Sequence, residues 1–343
     1  MSATGADPTV AVPVASIIVP AYNAATSLEA TITALLGQTR DDFEIVVVDD
    51  GSTDATGTVA ARLAEQHPRV RSLPLPENRG VARAREHAAR HSRGEYLWFI
   101  DADDRPEPNA LDRLVAAARL GDADVVVCSA QFVDEEGKRR PIPAPELAAP
   151  MSGRRAFRML LEGQITGHLW NKLFRRNLVD AIEFTPARVH SDLAMVAQLL
   201  AAAHRVTSIP DVLYSYHLRG GSIIHSGSRR AESLRLIDAA VHSAAGRLDP
   251  RILRTREYRY FRFRFIVLSG VKDAVLGPYT DAERRNLVAE LRVLLTWRSL
   301  LLPVLAGDWR RLTLGLAAKV SRPLYRRVLG IANSRAGGPT QVT

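Results

Sequence analysis

The sequence predicts an α/β protein in which helices cover both faces of a mostly parallel sheet, followed by a mainly helical C-terminal extension. Three observations predict this fold. Short apolar, β-branched runs alternate with helical stretches from residue 15 onward. The runs are apolar throughout, as in strands covered on both faces. From about residue 231 the pattern is helical and rich in arginine.

Five strands are predicted in the first half, and they cover residues 16–19, 44–48, 70–75, 96–100 and 124–129. The first is stopped by Pro20, and a helical stretch then runs to about Gly37. A second helix, opened by Asn78-Arg79-Gly80, runs to His91. Ligands of such sheets bind beyond the carboxyl ends of the strands. Polar clusters lie there: Ala21-Tyr22-Asn23, Asp49-Asp50-Gly51 and Asp101-Ala102-Asp103.

The second half begins with a proline-rich stretch, residues 141–150, which we interpret as a linker or exposed loop. The segments that follow are predicted to be helical at residues 154–163 and 191–203 and strand-like at residues 212–216. The segment 170–174 lies between the two helices and carries no assignment.

Composition limits the classes of protein. A lone cysteine, Cys128, lies in an apolar run and excludes an internal disulfide or a thiolate zinc cluster, so we expect a small core residue. Residues 1–12 lack the pattern of a signal peptide or membrane anchor, and no run of about 18 apolar residues follows. We therefore expect a cytoplasmic protein.

The net charge of +9 favours anionic partners. Between Arg284 and Gly330 there are ten Lys or Arg residues against two acidic ones. Leucines, Trp297, Trp309 and Tyr325 accompany them, which suits helices lying on an anionic membrane surface. A solvated helical subdomain explains the same pattern equally well. No zinc spacing or RNA-binding motif is present, so nucleic acid is not an expected partner.

Asp101-Ala102-Asp103 follows an apolar strand. Two carboxylates at i and i+2 can share a divalent cation that grips the phosphate oxygens of a nucleotide diphosphate and stabilises the charge of a departing diphosphate. The alternative is a solvated acidic turn in which Asp104 caps the next helix.

Other strand ends supply complementary groups. The Asp50 carboxylate can accept the ring N–H of a uracil-type base, against which Tyr22 can stack. Arg83 and Arg85 can reach phosphate near a helix N-terminus. Each has an alternative: Asp50 as a helix cap, Tyr22 as a core residue, and the arginines as a solvated helix face.

Four motifs in this order resemble the family-2 glycosyltransferases over about residues 14–225. The motifs are Ser16-Ile17-Ile18-Val19-Pro20-Ala21-Tyr22-Asn23, Glu44-Ile45-Val46-Val47-Val48-Asp49-Asp50-Gly51-Ser52-Thr53-Asp54, Asn78-Arg79-Gly80 with Ala84-Arg85, and Gly94-Glu95-Tyr96 leading to Asp101-Ala102-Asp103-Asp104. The resemblance implies a GT-A fold, which is Rossmann-like. It also implies a nucleotide-diphospho-sugar donor, Mn²⁺ or Mg²⁺, and inversion at the sugar carbon in a single displacement.

Position by position, the resemblance implies one set of donor-binding residues. They are Pro20, Tyr22, Asn23, Asp50, Arg83, Arg85, Asp101, His217, Arg219 and Ser222. It makes Asp103 the direct metal ligand, with Asp101 contacting ribose and metal. The last three donor residues belong to a basic Gly-Ser segment that can fold over the diphosphate. Glu86 departs from the family pattern, which often has Asn there.

Inverting transfer also needs a general base on the acceptor side. Many relatives use the Asp of a Glu-Asp pair that opens a helix, and the matching residues here are Ser191-Asp192. Asp192 is the implied base, although Ser replaces the Glu; a plain helix cap is the alternative. His190 would orient the base, bind an anionic acceptor or lie on the surface.

The expected domains are a disordered tail (1–13), a GT-A domain (14–225) and a basic, mainly helical region (226–343). The GT-A domain comprises a nucleotide half (14–130) and an acceptor half (131–225). The expected acceptor is a glycan, a lipid-linked sugar or a cell-surface polymer. If the basic helices bind a membrane, the protein is expected at its inner face. The alternatives are a nucleotidyltransferase, whose usual Gly-rich phosphate loop is missing after strand one, and an inactive binding module.

Overall fold

The computed structural model describes residues 12–217 and 229–335, with side chains to residue 331. Two compact units account for this part of the chain. The first comprises residues 12–151, Leu169–Phe184 and Ala203–His217. The second comprises Ser152–His168, Thr185–Ala202 and residues 229–335. The helical second unit thus includes two segments from the expected acceptor half.

The first unit contains a mixed sheet in the order β3-β2-β1-β4-β8-β6-β9-β5, with β7 paired to β6. Its strands are β1 (Ala15–Ala21), β2 (Phe43–Asp49), β3 (Val70–Pro74), β4 (Tyr96–Phe99), β5 (Arg105–Pro106), β6 (Val125–Val133), β7 (Arg139–Ile142), β8 (Lys172–Arg175) and β9 (Val206–His217).

Helices of the first unit are α1 (Leu28–Leu36), α2 (Thr56–Gln66), α3 (Val81–His91), α4 (Ala110–Leu120) and α6 (Arg176–Asp180). Helices of the second unit are α5 (Gly153–Glu162), α7 (Ser191–Ala202), α8 (Ala231–Leu248), α9 (Arg256–Phe261), α10 (Leu268–Leu276), α11 (Asp281–Leu294), α12 (Leu301–Leu305), α13 (Trp309–Val320) and α14 (Arg322–Arg335). A π-helical segment, Arg262–Val267, joins α9 to α10, and a 3₁₀ turn, Arg298–Leu300, leads into α12.

Four of the five predicted strands, β1 to β4, form one parallel block of the sheet. β1 lies between β2 and β4 and is parallel to both, with Ile17 opposite Ile45 on one side and Trp98 on the other. Every residue of β1 and β2 is buried, as continuous apolar runs predict. The predicted α/β fold is confirmed, and the carboxyl ends of these strands meet at one edge of the sheet.

The rest of the sheet is mixed. β8 is antiparallel to both β4 and β6, and β5 is antiparallel to β9, whereas β9 is parallel to β6. The short strands β5, β7 and β8 have no counterpart among the predicted strands, and β7 overlaps the start of the expected linker. Two to four residues offer too little periodicity to mark a strand. Cys128 is fully buried in β6, and burial raises the pKa of its thiol to about 12, consistent with a core residue.

The second unit has its own apolar core, to which Phe263, Val271, Leu300, Leu314 and Tyr325 contribute. Local signals account for several of its helix ends. Thr280 and Glu283 form a capping box at the start of α11, and Asp308 accepts a hydrogen bond from the Arg311 amide at the start of α13. Among the described residues, none of the helices has the length and apolar character needed to cross a bilayer.

Candidate active site

Three polar loops meet at the carboxyl edge of the parallel strands, since β1 is flanked by β2 and β4. Tyr22 follows β1 and is exposed, whereas Pro20 is buried within the strand. Asp50 follows β2, and Asp101 to Asp103 follow β4. Neighbouring strands lie roughly 4.8 Å apart, so these loops are neighbours. The sheet thus brings together the predicted base-binding and metal-binding residues.

Asn23 ties the first loop to the second. Its side-chain oxygen accepts a hydrogen bond from the Thr53 amide at 2.9 Å, and its own amide donates to the Ser52 hydroxyl at 2.9 Å. Asn23 also has a positive φ of 50°, a conformation that Asn tolerates better than most residues. Its side chain therefore organises the loop, while contact with a nucleotide stays a prediction.

Asp50 is only 3% exposed and anchors the start of α3. Its two carboxylate oxygens accept hydrogen bonds from the Arg79 and Gly80 amides, each at 2.9 Å. Burial raises the pKa of Asp50 above its usual value, although these two hydrogen bonds oppose the shift. A carboxylate offers about four acceptor sites, so a further N–H donor can still be accepted.

Gly51 permits the close approach of this loop to the segment before α3. Its φ is +65°, and a Cβ atom there would lie 2.4 to 2.7 Å from backbone atoms of Glu77 and Asn78. Only glycine avoids both the positive-φ penalty and this clash. The Asp-Asp-Gly motif thus has a structural explanation, since Gly51 lets Asp50 reach the amides of residues 79 and 80.

Arg85 bridges α3 and the acidic turn. Its guanidinium is 5% exposed and lies 3.0 Å from Asp101 Oδ1. Arg83 is different: it is exposed and pairs with Glu86, which also pairs with Arg90. Arg85 therefore holds one carboxylate of the acidic pair, and Arg83 belongs to a charged helix face. A role for either in binding phosphate remains a prediction.

Hydrogen bonds also stabilise the acidic turn. The Asp104 amide donates to the Asp101 carbonyl, and the Ala102 carbonyl accepts from the Thr31 hydroxyl at 3.0 Å. Asp104 is 2% exposed and accepts a hydrogen bond from Tyr214. Asp104 does not cap a helix here. Burial, together with the charge of the acidic turn, raises the pKa of Tyr214 well above its usual value, so its hydroxyl stays a donor.

β9 connects the turn to the predicted closing segment. Ser215 and Tyr214 lie opposite Arg105 and Pro106, the residues immediately after the turn. His217 ends β9 and is exposed. Arg219 and Ser222 lie outside the described residues.

Trp170 belongs to the core. It is 2% exposed and stacks on Tyr214 and Tyr216, with ring centroids 4.6 and 5.7 Å away. The neighbouring Lys172 is fully buried and donates to the Asn171 side chain at 2.8 Å. This segment therefore supports the turn through Tyr214.

Asp192 lies in the second unit, in the first turn of α7. His190, just before the helix, has a φ of +56° and packs edge-on against Phe265. Burial lowers the pKa of His190 to about 4, and the positive charges of Arg230 and Lys272 act in the same direction. His190 is therefore neutral at pH 7.

Sequence reasoning missed Tyr214 as a support of the acidic turn. Its partner Asp104 is 110 residues away in the sequence, and no local pattern links them.

Residues 16–182 match the family model described as glycosyl transferase family 2. The putative glycosyltransferase EpsH of Bacillus subtilis is 28% identical over 288 residues, which cover 82% of this chain and 81% of EpsH. The succinoglycan biosynthesis protein ExoO of Rhizobium meliloti is 32% identical over 220 residues, 62% of this chain and 63% of ExoO.

Among solved structures, Staphylococcus aureus TarS 1–349 in complex with UDP-GlcNAc superposes with a TM-score of 0.68 at 22% identity. The superposition covers 95% of this chain and 93% of the TarS fragment. At this identity the likeness establishes the GT-A fold.

Proposed function

We propose that this chain, whose residues 16–182 match the model of glycosyl transferase family 2, is an inverting glycosyltransferase that uses a UDP-linked nucleotide-diphospho-sugar as its donor. The acceptor is a hydroxyl group of a glycan, a lipid-linked sugar or a cell-surface polymer. The observation that carries the proposal is the braced acidic turn after β4, at the same sheet edge as Asp50 and Tyr22. The transferred sugar is a hexose or an N-acetylhexosamine.

The donor's base would lie between the first two loops, where Tyr22 offers an exposed ring and Asp50 a buried carboxylate. TarS was solved with UDP-GlcNAc, which supports a UDP-linked donor here. ExoO is named for succinoglycan biosynthesis, which supports a polysaccharide acceptor. We propose residues 14–225 as the catalytic domain.

The acidic turn fits a divalent cation, Mn²⁺ or Mg²⁺. In the described residues no three His, Cys, Asp or Glu side chains form a ready cluster. Such a cluster is not required, because Mg²⁺ is usually held by one or two carboxylates together with substrate phosphates. Asp103 would be the direct ligand and Asp101, oriented by Arg85, would share it. When bound, the cation stabilises negative charge on the departing diphosphate.

The chemistry is a single displacement. The acceptor oxygen forms a bond to the anomeric carbon while the bond from that carbon to the diphosphate oxygen breaks, and the nucleoside diphosphate leaves with the electron pair. Asp192 takes the acceptor proton as general base. A general base must be able to take up a proton, and a positive charge nearby would weaken it. His190 beside Asp192 is neutral and adds no such charge.

The test measures nucleoside diphosphate release from UDP-, GDP-, CDP- and TDP-sugars, with and without Mn²⁺ or Mg²⁺. The variant Asp103→Asn should reduce metal-dependent release by about 100-fold or more, the usual cost of losing one group that stabilises transition-state charge. Asp41→Asn, at an exposed position before β2, is the matched control and should retain full activity.

Other outcomes separate the alternatives. Release of inorganic pyrophosphate from a nucleoside triphosphate would favour a nucleotidyltransferase. Donor binding that is insensitive to metal and gives no release would favour an inactive binding module. We also propose that the protein is located in the cytoplasm, at the inner face of the cell membrane.

A further inference from the structure

One helical run of the second unit is apolar on its exposed side as well as on its buried side. It starts at Trp297, continues through the 3₁₀ turn and includes α12. Leu300 and Pro303 face the core, whereas Trp297, Leu301 and Leu305 are exposed. A surface helix normally turns a polar face outward, and one that is apolar all round requires a second apolar environment.

α13 also exposes apolar side chains. Leu314 and Ala317 of α13 are buried, whereas Trp309, Leu316 and Val320 are exposed and lie on one side of the helix, at spacings of seven and four residues. Lys319 of α13 donates to the carbonyl of Leu295, the residue just after α11, and its ammonium lies 5.8 Å from the centre of the Trp297 ring. We call the exposed set the apolar surface: Trp297, Leu301, Leu305, Trp309, Leu316 and Val320.

Positive charge accompanies the apolar surface. From residue 291 to 331 there are eight Arg or Lys residues and a single acidic residue, Asp308. Asp308 is itself engaged by Tyr260 and Arg311. Arg298, which follows Trp297 in the chain, is exposed, and so is Arg292, near the end of α11. The surface therefore combines tryptophan, leucine and arginine, with one acidic side chain that is already neutralised.

We propose that this apolar surface docks on an anionic lipid bilayer, lying in the plane of the membrane rather than crossing it. Trp297 and Trp309, each 64% exposed, would enter the region between headgroups and acyl chains, where amphipathic aromatic rings are favoured. The arginines would contact lipid phosphates. A second copy of the chain is a poorer occupant, because a symmetric contact would set the same positive surface against itself.

The proposal does not depend on the transferase activity, so the test uses lipid binding alone. The full chain is sedimented with two kinds of vesicle. One contains phosphatidylcholine alone, and in the other about one lipid in three is phosphatidylglycerol, whose negative charge makes the surface strongly anionic. The chain should pellet with the anionic vesicles at low salt and be released at high salt. Tryptophan emission should shift to the blue on binding. The shift reports on Trp297 and Trp309, because the two other tryptophans, Trp98 and Trp170, are already buried.

Two variants separate the apolar and charged contributions. Trp297→Ser with Trp309→Ser should lower the vesicle partition coefficient by about tenfold or more and abolish the emission shift. Arg292→Gln with Arg298→Gln should lower it by about 25-fold at low salt, since each basic residue near an anionic surface contributes about fivefold. The controls are Leu120→Ser, 93% exposed at the end of α4, and Arg247→Gln, exposed at the end of α8.

Circular dichroism establishes that each variant is folded. The proposal is overturned if the wild-type chain fails to bind anionic vesicles at low salt, or if the tryptophan variant binds as well as the wild type. Self-association in sedimentation velocity that the tryptophan variant abolishes, without vesicle binding, would assign the surface to a second copy instead.

Discussion

The hydroxyl of Tyr214 donates a hydrogen bond to the carboxylate of Asp104, with 2.5 Å between the two oxygens. Both side chains are buried, and the bond joins β9 to the acidic turn that follows β4. On the other side of the turn, Arg85 holds Asp101. The turn is therefore restrained at both ends, with Asp103 between the two restraints. Restraint of this kind presents charged groups without reorganisation during reaction.

Removing the tyrosine hydroxyl should loosen the turn. We expect Tyr214→Phe to lower the free energy of unfolding by about 1.5–3 kcal/mol, because a buried carboxylate loses one hydrogen-bond donor. Urea unfolding of Tyr214→Phe, Asp104→Asn and the double variant measures the coupling energy between the two side chains. Additive effects of the two single variants would show that the bond does not stabilise the fold.

The ion pair between Arg85 and Asp101 should matter for turnover. Arg85→Gln leaves Asp101 without this guanidinium, so we expect kcat/KM for the donor to fall at least about tenfold, the effect of roughly 1.4 kcal/mol. Arg90→Gln is the matched control on the same helix, because Arg90 is exposed and pairs with Glu86. Equal activity of the two variants would argue against a role for Arg85 in orienting the turn.

Two glycines with positive φ allow the energetic cost of the backbone conformation to be measured apart from the cost of a steric clash. At Gly137 (φ +79°) a Cβ atom would have no neighbour within 4 Å, whereas at Gly51 (φ +65°) it would clash with the backbone of Glu77 and Asn78. We expect Gly137→Ala to cost about 1–2 kcal/mol of unfolding free energy and Gly51→Ala to cost clearly more. The measurement is urea unfolding of both variants. Equal costs would mean that the loop at Gly51 relaxes.

The titration of His190 should make stability depend on pH. Its folded pKa of about 4 lies below the ordinary 6.5, so between these values the unfolded state binds more protons. Stability from this group is therefore full above pH 6.5 and lost as the pH falls towards 4, by about 3 kcal/mol at most.

His190→Asn removes the titrating ring and keeps a residue type that tolerates a φ of +56°. Urea unfolding from pH 4 to 7 should show a shallower rise in stability for this variant than for the wild type. An unchanged pH slope would contradict the lowered pKa of His190 in the folded protein.

Local patterns determined much of the candidate site. The predicted strands agree with the observed parallel strands within a few residues, and the acidic turn falls where a buried strand ends. Asp50, Tyr22 and the Asp101 to Asp103 turn meet at one sheet edge, as parallel strand ends must. These features depend on periodicity and turn chemistry over a few neighbouring residues, so the sequence alone was sufficient for them.

The tertiary structure decided which side chains pair. Arg85 forms an ion pair with Asp101, and Tyr214 donates a hydrogen bond to Asp104. Both carboxylate oxygens of Asp50 accept hydrogen bonds from the backbone amides just before α3. It also decided that the outer side of the helix after Trp297 is exposed and apolar. Contacts between residues far apart in the chain leave no local periodicity, because they arise only when separate elements pack together.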